Sequence, residues 1–206
     1  MKGKIAGIGC LGIGAIVLIL GIVAVMYGIR WNNQAVLLSE EVESQWANVE
    51  SSYQRRADLI PNIVATAQEY AEFEQETLTA VIEARAQASS IQVDASNLTA
   101  EQIQQFSEAQ GAVSSGLGRL LATYENYPDL KANENFKELI NELERTENRI
   151  NVERNRYNER VKAYNIHIMQ FPGSMLANWL GFSESPYFQA DAGSENAPDV
   201  KDLFDN

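Results

Sequence analysis

Twenty-five consecutive residues without a charge, positions 5–29, constrain this chain more than any other feature. Lys2 and Lys4 close the run on one side and Arg30 on the other, leaving a short flank at 1–4. At ~1.5 Å per residue, a helix of that length reaches roughly 37 Å, enough to cross a hydrocarbon core of about 30 Å with some tilt. A cleaved secretory signal has a shorter apolar region and a small-x-small site near its end. The run is longer than that and reads as an uncleaved, single-pass signal-anchor through the lipid bilayer. Basic residues favour the cytoplasmic side. Lys2, Lys4 and the terminal amine outnumber Arg30. This places the amino terminus in the cytoplasm and the body on the periplasmic or extracellular side of the inner (plasma) membrane.

Gly7, Gly9 and Gly12 spell G-x-G-x-x-G. That dinucleotide fingerprint needs a strand before it and a helix after it, and here it lies inside the apolar run, so it is set aside. A second pattern has more physical content. Gly7, Gly14, Gly21 and Gly28 recur every seven residues, with Cys10 and Ala24 at intermediate steps of three and four. Together they draw a stripe of small residues down one helix face, which lets membrane helices approach closely. The stripe predicts a homo-oligomer; the frequency of glycine in membrane helices is the plainer explanation.

The rest of the chain is polar and acidic. Of sixteen basic residues only Lys2 and Lys4 precede the run, so fourteen face all twenty-eight acidic residues from Arg30 onward, a net charge of −14. Such a body repels phosphate backbones, and no nucleic acid is expected as a partner. Cys10 is the single cysteine and His167 the single histidine. Disulfides, the usual zinc clusters and histidine-based triads are thereby excluded. No catalytic residue, metal ligand or cofactor site is identified, and the chain is not expected to be an enzyme. His167 reads as a surface or edge residue.

Helical periodicity runs through the whole body. Leu38, Val42, Trp46, Val49 and Tyr53 fall at three- and four-residue steps. Then comes Arg55-Arg56-Ala57-Asp58-Leu59-Ile60-Pro61-Asn62. Proline suits only the first turn of a helix, and Asp58 can serve as an N-cap. The residues predict a turn near 57–58 and a second helix over about 59–89; a continuous helix kinked at Pro61 is the alternative. In this motif either Asp58 and Pro61 shape the turn while Arg55 and Arg56 pair with nearby acids, or Arg55, Arg56, Asp58, Pro61 and Asn62 form a partner-binding tip distal from the membrane. Residues 90–98 read as a loop, and Thr99 with Gln102 as a capping box opening a third helix. Ile103, Phe106, Val113, Leu117, Leu120 and Tyr124 mark its apolar face.

A turn around Tyr127-Pro128-Asp129 precedes the last helix, over 134–170. Eleven positions from 136 to 171 alternate steps of four and three, and nine are apolar, which makes a coiled-coil-like seam. The two exceptions, Glu147 and Arg154, are candidate buried charges: either they set register or the seam reaches solvent there. Pro172-Gly173 stops the helix. Residues 172–188 then carry a short apolar segment, with Trp179 and Phe182 as candidate interfacial anchors. That segment either caps the bundle or rests on the bilayer. Residues 189–206 form an acidic tail, expected to be disordered.

The run at 55–62, together with Glu83-Ala84-Arg85-Ala86, Tyr127-Pro128-Asp129-Leu130-Lys131, Tyr157-Asn158, Tyr164-Asn165 and Phe171-Pro172-Gly173, resembles the LemA family of bacterial membrane proteins. The resemblance covers nearly everything after the anchor. It implies an N-terminal membrane helix followed by an antiparallel four-helix bundle with long coiled-coil-like helices, over residues 30–171, and no established enzymatic activity. One branch of the family is linked to formation of the magnetosome membrane, which points toward membrane organisation. Two functions are consistent with all of this. One is a self-associating scaffold of the membrane or cell envelope. The other is a helical adaptor presenting its surface to a membrane-protein, signalling or protease partner.

Overall fold

The computed structural model describes residues 2–69 and 74–189, with side chains from Gly14 onward except that of Ser96. Gly7 and Cys10 of the small-residue stripe, and the acidic tail beyond Gln189, fall outside that description. Among the described residues the chain is all-helical, with no strand. Its elements are α1 (Lys2–Gln68), α2 (Gln75–Ser90), a single 3-10 turn (Ala95–Asn97), α3 (Ala100–Tyr124), α4 (Pro128–Ala132), α5 (Glu134–Met169) and α6 (Gly173–Leu180).

α1 is one helix of 67 residues, roughly 100 Å long. It is long and apolar enough to cross a membrane. Between Ile16 and Ile29 its large apolar side chains are exposed. From Trp31 one face turns inward, burying Trp31, Ala35, Val42, Trp46, Val49, Tyr53, Ile60 and Ile63. The turn expected at 57–58 does not form, because α1 continues through Pro61 to Gln68. Asp58 is therefore not an N-cap; it accepts a 2.8 Å hydrogen bond from Gln54 Nε2 one turn earlier. The break lies beyond Gln68, which shortens the second helix to the 16 residues of α2.

The other boundaries follow local chemistry. Thr99 Oγ1 accepts from the Gln102 amide at 3.2 Å, and Gln102 Oε1 accepts from the Thr99 amide at 3.0 Å, so the capping box is formed. Asn133 caps α5 by accepting from the Phe136 amide at 2.9 Å. Gly181, with φ +82°, ends α6 in a left-handed conformation that favours glycine.

α5 packs antiparallel along α1, placing His167 against Trp31, Arg160 against Glu41, Glu153 against Gln45 and Glu147 against Arg56. α2 packs antiparallel on α3, where a Cβ added to Gly116 would stand 3.3 Å from Val81 Cγ2. Ala88 and Ser89 lie beside Glu50 and Tyr53, so α2 stops there while α1 and α5 continue toward the membrane end. The antiparallel four-helix bundle expected over 30–171 thus does not run the length of the body.

The core is split accordingly. A distal cluster joins Ile60, Ile63, Leu78, Val81, Val113, Leu117, Leu120, Phe136 and Leu143 from four helices. A membrane-proximal cluster joins Trp31, Trp46, Tyr53, Phe106, Tyr157, Tyr164 and Phe188. Apolar burial drives both. The seam of α5 supplies each in turn, except that Phe171 stands 81% exposed because the helix has ended at Met169.

Candidate functional site

Two polar constructions organise this body. The first lies between the two clusters. Arg56, 1% exposed, falls midway between Tyr53 and Ile60 on α1. A guanidinium is expensive to bury unless its donors are satisfied. Arg56 Nη1 donates to Ser114 Oγ at 2.7 Å and Glu147 Oε1 at 2.8 Å. Its Nη2 donates to Gln110 Oε1 at 2.6 Å and to the Gln110 carbonyl at 3.1 Å. The guanidinium carbon also sits 5.1 Å from the Tyr53 ring centroid, within cation–π range. One side chain of α1 thereby ties α3 to α5.

The neighbouring residues complete this layer. Arg55 pairs with Glu142 on α5, its Nε donating at 3.1 Å. Arg55, aided by Arg145, holds the Glu142 carboxyl below the ordinary carboxylate range. Pro61 has no amide hydrogen, so it cannot serve the carbonyl four residues back, that of Ala57. Arg85 on α2 takes that place, its Nε donating to the Ala57 carbonyl at 2.6 Å. A proline is tolerated inside α1 because Arg85, 28 positions beyond Ala57, supplies the missing donor.

The 55–62 motif is therefore neither a turn nor a tip. Arg56 and Ile60 face inward, Arg55 bridges to α5, and Asp58, Pro61 and Asn62 are exposed. Glu147 and Arg154, expected as buried charges, are only half-buried. Among the described residues the buried charged ones are Arg56 and Glu153. Glu153 accepts from Gln45 Nε2 at 2.7 Å and from Arg156 Nη1 at 3.0 Å.

The second construction is a strap. After Gly181 the chain runs extended over residues 182–189, back along α5 toward the polar layer. Asn165 Nδ2 donates to the Ser185 carbonyl and its Oδ1 accepts from the Ser185 amide, both at 2.9 Å. Asn158 treats Phe188 the same way, at 3.0 and 2.9 Å. Each carboxamide thus pairs with the backbone of one residue as a neighbouring strand would. The register is physically determined. Seven helical residues rise ~10.5 Å, and three extended residues span about 10 Å.

Tyrosines beside the asparagines reinforce the strap. Tyr164 donates its hydroxyl to the Ser183 carbonyl at 3.0 Å, and Tyr157 to the Pro186 carbonyl at 3.1 Å. Burial pushes both phenols above their ordinary pKa. Phe188 is delivered into the core, stacked on Trp46 at 5.5 Å and edge-on to Tyr157 at 5.3 Å. Arg154 covers it from outside, donating to the Gln189 carbonyl at 3.0 Å. The periodicity argument passed over this device. Its visible trace was the Tyr-Asn pair repeated seven residues apart.

α6 connects strap and anchor. Its Gly173–Ala177 face is buried, and a Cβ on Gly173 would come within 2.2 Å of Trp31 Nε1. Trp31 is also stacked on His167 at 5.0 Å and meets Phe182 edge-on at 5.7 Å. Of the two candidate interfacial anchors, Trp179 points outward at 82% exposure, while Phe182 packs inward. In the anchor, a Cβ on Gly14, Gly21 or Gly28 would meet nothing within 4 Å. Among the described residues no three His, Cys, Asp or Glu side chains group as metal ligands.

A model of the LemA family matches residues 45–201. The chain is 25% identical to magnetosome protein MamQ 2 of Paramagnetospirillum magneticum over 191 residues, covering 84% of this chain and 70% of that protein. It is similarly 25% identical to MamQ of Magnetospirillum gryphiswaldense, over 76% of this chain and 64% of the relative. It is 25% identical to protein LemA of Metamycoplasma hominis, over 84% of this chain and 75% of the relative.

Proposed function

We propose that this chain, which belongs to the LemA family, is a membrane-anchored helical scaffold that self-associates and organises the bacterial membrane or cell envelope, without enzymatic activity. One observation carries the reading: α1 is a single uninterrupted helix from its apolar stretch into the polar layer at Arg56. Contact between anchors would therefore fix the spacing and orientation of the bodies outside. Gly14, Gly21, Ala24 and Gly28 support self-association, since the three glycines lie open on an exposed helix and are not used to pack this chain on itself. The distal half acts as an antiparallel four-helix bundle carried at the end of that rod. The body lies outside the cytoplasm, on the charge asymmetry around the anchor. The MamQ relatives are magnetosome proteins by name, which fits a task at a membrane.

The test is particle size in mild detergent. The scaffold reading expects a large homogeneous assembly from the full chain, and dissociation on Gly14→Leu with Gly21→Leu. A monomer at micromolar concentration would defeat it. Recovery of one dominant heterologous protein by crosslinking in cells would favour the adaptor reading instead.

A further inference from the structure

Among the described residues, the membrane-proximal end of the body is stripped of charge on the segments of α1, α5 and α6 that reach it. On α1 no Asp, Glu, Lys or Arg occurs between Arg30 and Glu40. From the end of α5 through α6 none occurs between Lys162 and Glu184. These boundaries coincide in space, because Arg160 meets Glu41, and Glu184 lines the same recess as Ser39 and Val42. In a body with a net charge of −14, charge begins at one common level, roughly 15 Å along α1 from Arg30.

Below that level lies an apolar surface that the described residues leave exposed. α6 buries Gly173 and Ala177 and turns Met175 and Trp179 outward, at 67% and 82% exposure. Phe171 at 81% and Met169 at 57%, in the stretch that leads into α6, are exposed as well. The place of α6 is fixed by Gly173 packing on Trp31, two residues beyond the uncharged run of α1. A bilayer crossed by that run brings its headgroup zone to this height. Trp is favoured there, because an apolar ring and an N–H suit a boundary that is half wet.

We propose that α6, with Phe171, Met175 and Trp179, docks into the headgroup interface of the bilayer that α1 crosses. It forms a second, shallow lipid contact that sets the tilt of the body. The occupant is lipid because the surface is continuous with the anchor and because charge is absent throughout its height. α6 itself carries no charge, so docking should not depend on anionic lipid.

The proposal rests on the anchor reading, and the experiment separates the two. Spin labels are placed on the full chain, in a Cys10→Ser background, by Met175→Cys, Trp179→Cys, Leu20→Cys and Asn148→Cys. Each variant is reconstituted in phosphatidylcholine vesicles, with and without phosphatidylglycerol. Collisions with oxygen, which partitions into lipid, are compared with collisions with a water-soluble nickel chelate. The Leu20 label reports the acyl core if the anchor holds, and the exposed Asn148 label reports water. The proposal expects the 175 and 179 labels to show an oxygen-to-nickel ratio several-fold above Asn148 and below Leu20, equal in both vesicle types. If both labels match Asn148 while Leu20 reads acyl chain, docking is refuted and the anchor stands. Exclusion of both collision agents would mean that a second copy or another protein covers α6, which also overturns the proposal. A water-like Leu20 label would remove the anchor reading and docking with it.

Discussion

The two halves of the body reach closure by different means. The distal half is closed by helices alone: aliphatic side chains from α1, α2, α3 and α5 meet around Phe136 and Leu143. The proximal half loses α2; residues 91–98 and an extended strap with a bulky aromatic end, held along α5, complete it instead. A helix brings its own backbone hydrogen bonds, so it needs only an apolar stripe to dock. An extended segment brings none and must borrow them. Asn158, Asn165, Tyr157 and Tyr164 are that loan. The polar layer at Arg56 stands where one mode of packing gives way to the other.

The largest effect should come from cutting the proximal half at its aromatic keystone, and the next from cutting the layer between the halves. Phe188→Ala removes a ring buried against Trp46 and Tyr157 and should cost about 3–5 kcal/mol. Native-state hydrogen exchange should show the loss in residues 31–53 and 150–168, with residues 113–143 protected as before. Equal loss in both halves would mean that the body unfolds as one unit.

Arg56→Ala should follow, at about 3 kcal/mol, because it leaves Glu147 and Gln110 facing each other without their cation. The lower end of the range is expected since Glu147 is about a third exposed. Thermal melts by circular dichroism should also lose cooperativity if this layer couples the halves.

Arg85→Ala should cost about 1 kcal/mol in the native sequence and close to nothing beside Pro61→Ala. Alanine at 61 restores an amide that serves the Ala57 carbonyl from within α1, making the Arg85 bond redundant. Additive losses in the double variant would contradict that account of the tolerated proline.

The smallest effects are in pH, and they run in opposite directions. Tyr157 and Tyr164 hold their protons more tightly folded than unfolded. Their contribution is complete below the ordinary phenol pKa of about 10 and is lost as pH rises beyond it. Glu142 is shifted the other way, so its contribution is present above the ordinary carboxylate range and is lost as pH falls through its lowered pKa. Hydrogen exchange should show alkali loosening the proximal half first. Arg55→Gln should blunt the response to acid and leave the response to alkali unchanged.

Much of the fold was legible because helical burial has a local period. The stripe on α1 from Val42 to Tyr53, the capping box at Thr99 and the seam of α5 from Phe136 to Ile168 depend only on neighbours three or four residues away. The candidate site was far less legible. Pro61 and Asp58 suggested a turn, because the proline lacks an amide donor and the acid can serve as an N-cap, and nothing local marked Arg56 as buried. The donor that makes up for Pro61 comes from Arg85, 28 residues from the Ala57 carbonyl it serves, and the partners of Arg56 lie 54 to 91 residues from it. Glu147 was expected to be buried on periodicity, but it sits at the edge of α5, and Glu153 is the acid that goes inside.

By itself, the sequence determined the membrane-length apolar stretch, the all-helical body and the apolar face of each helix, since composition and period act over a few residues. Tertiary structure alone decided that α1 runs through its proline, that the second helix is short, and that the C-terminal segment completes the core. Those outcomes turn on whether a buried polar group finds a partner, and here the partner comes from a distant part of the chain that only folding brings near.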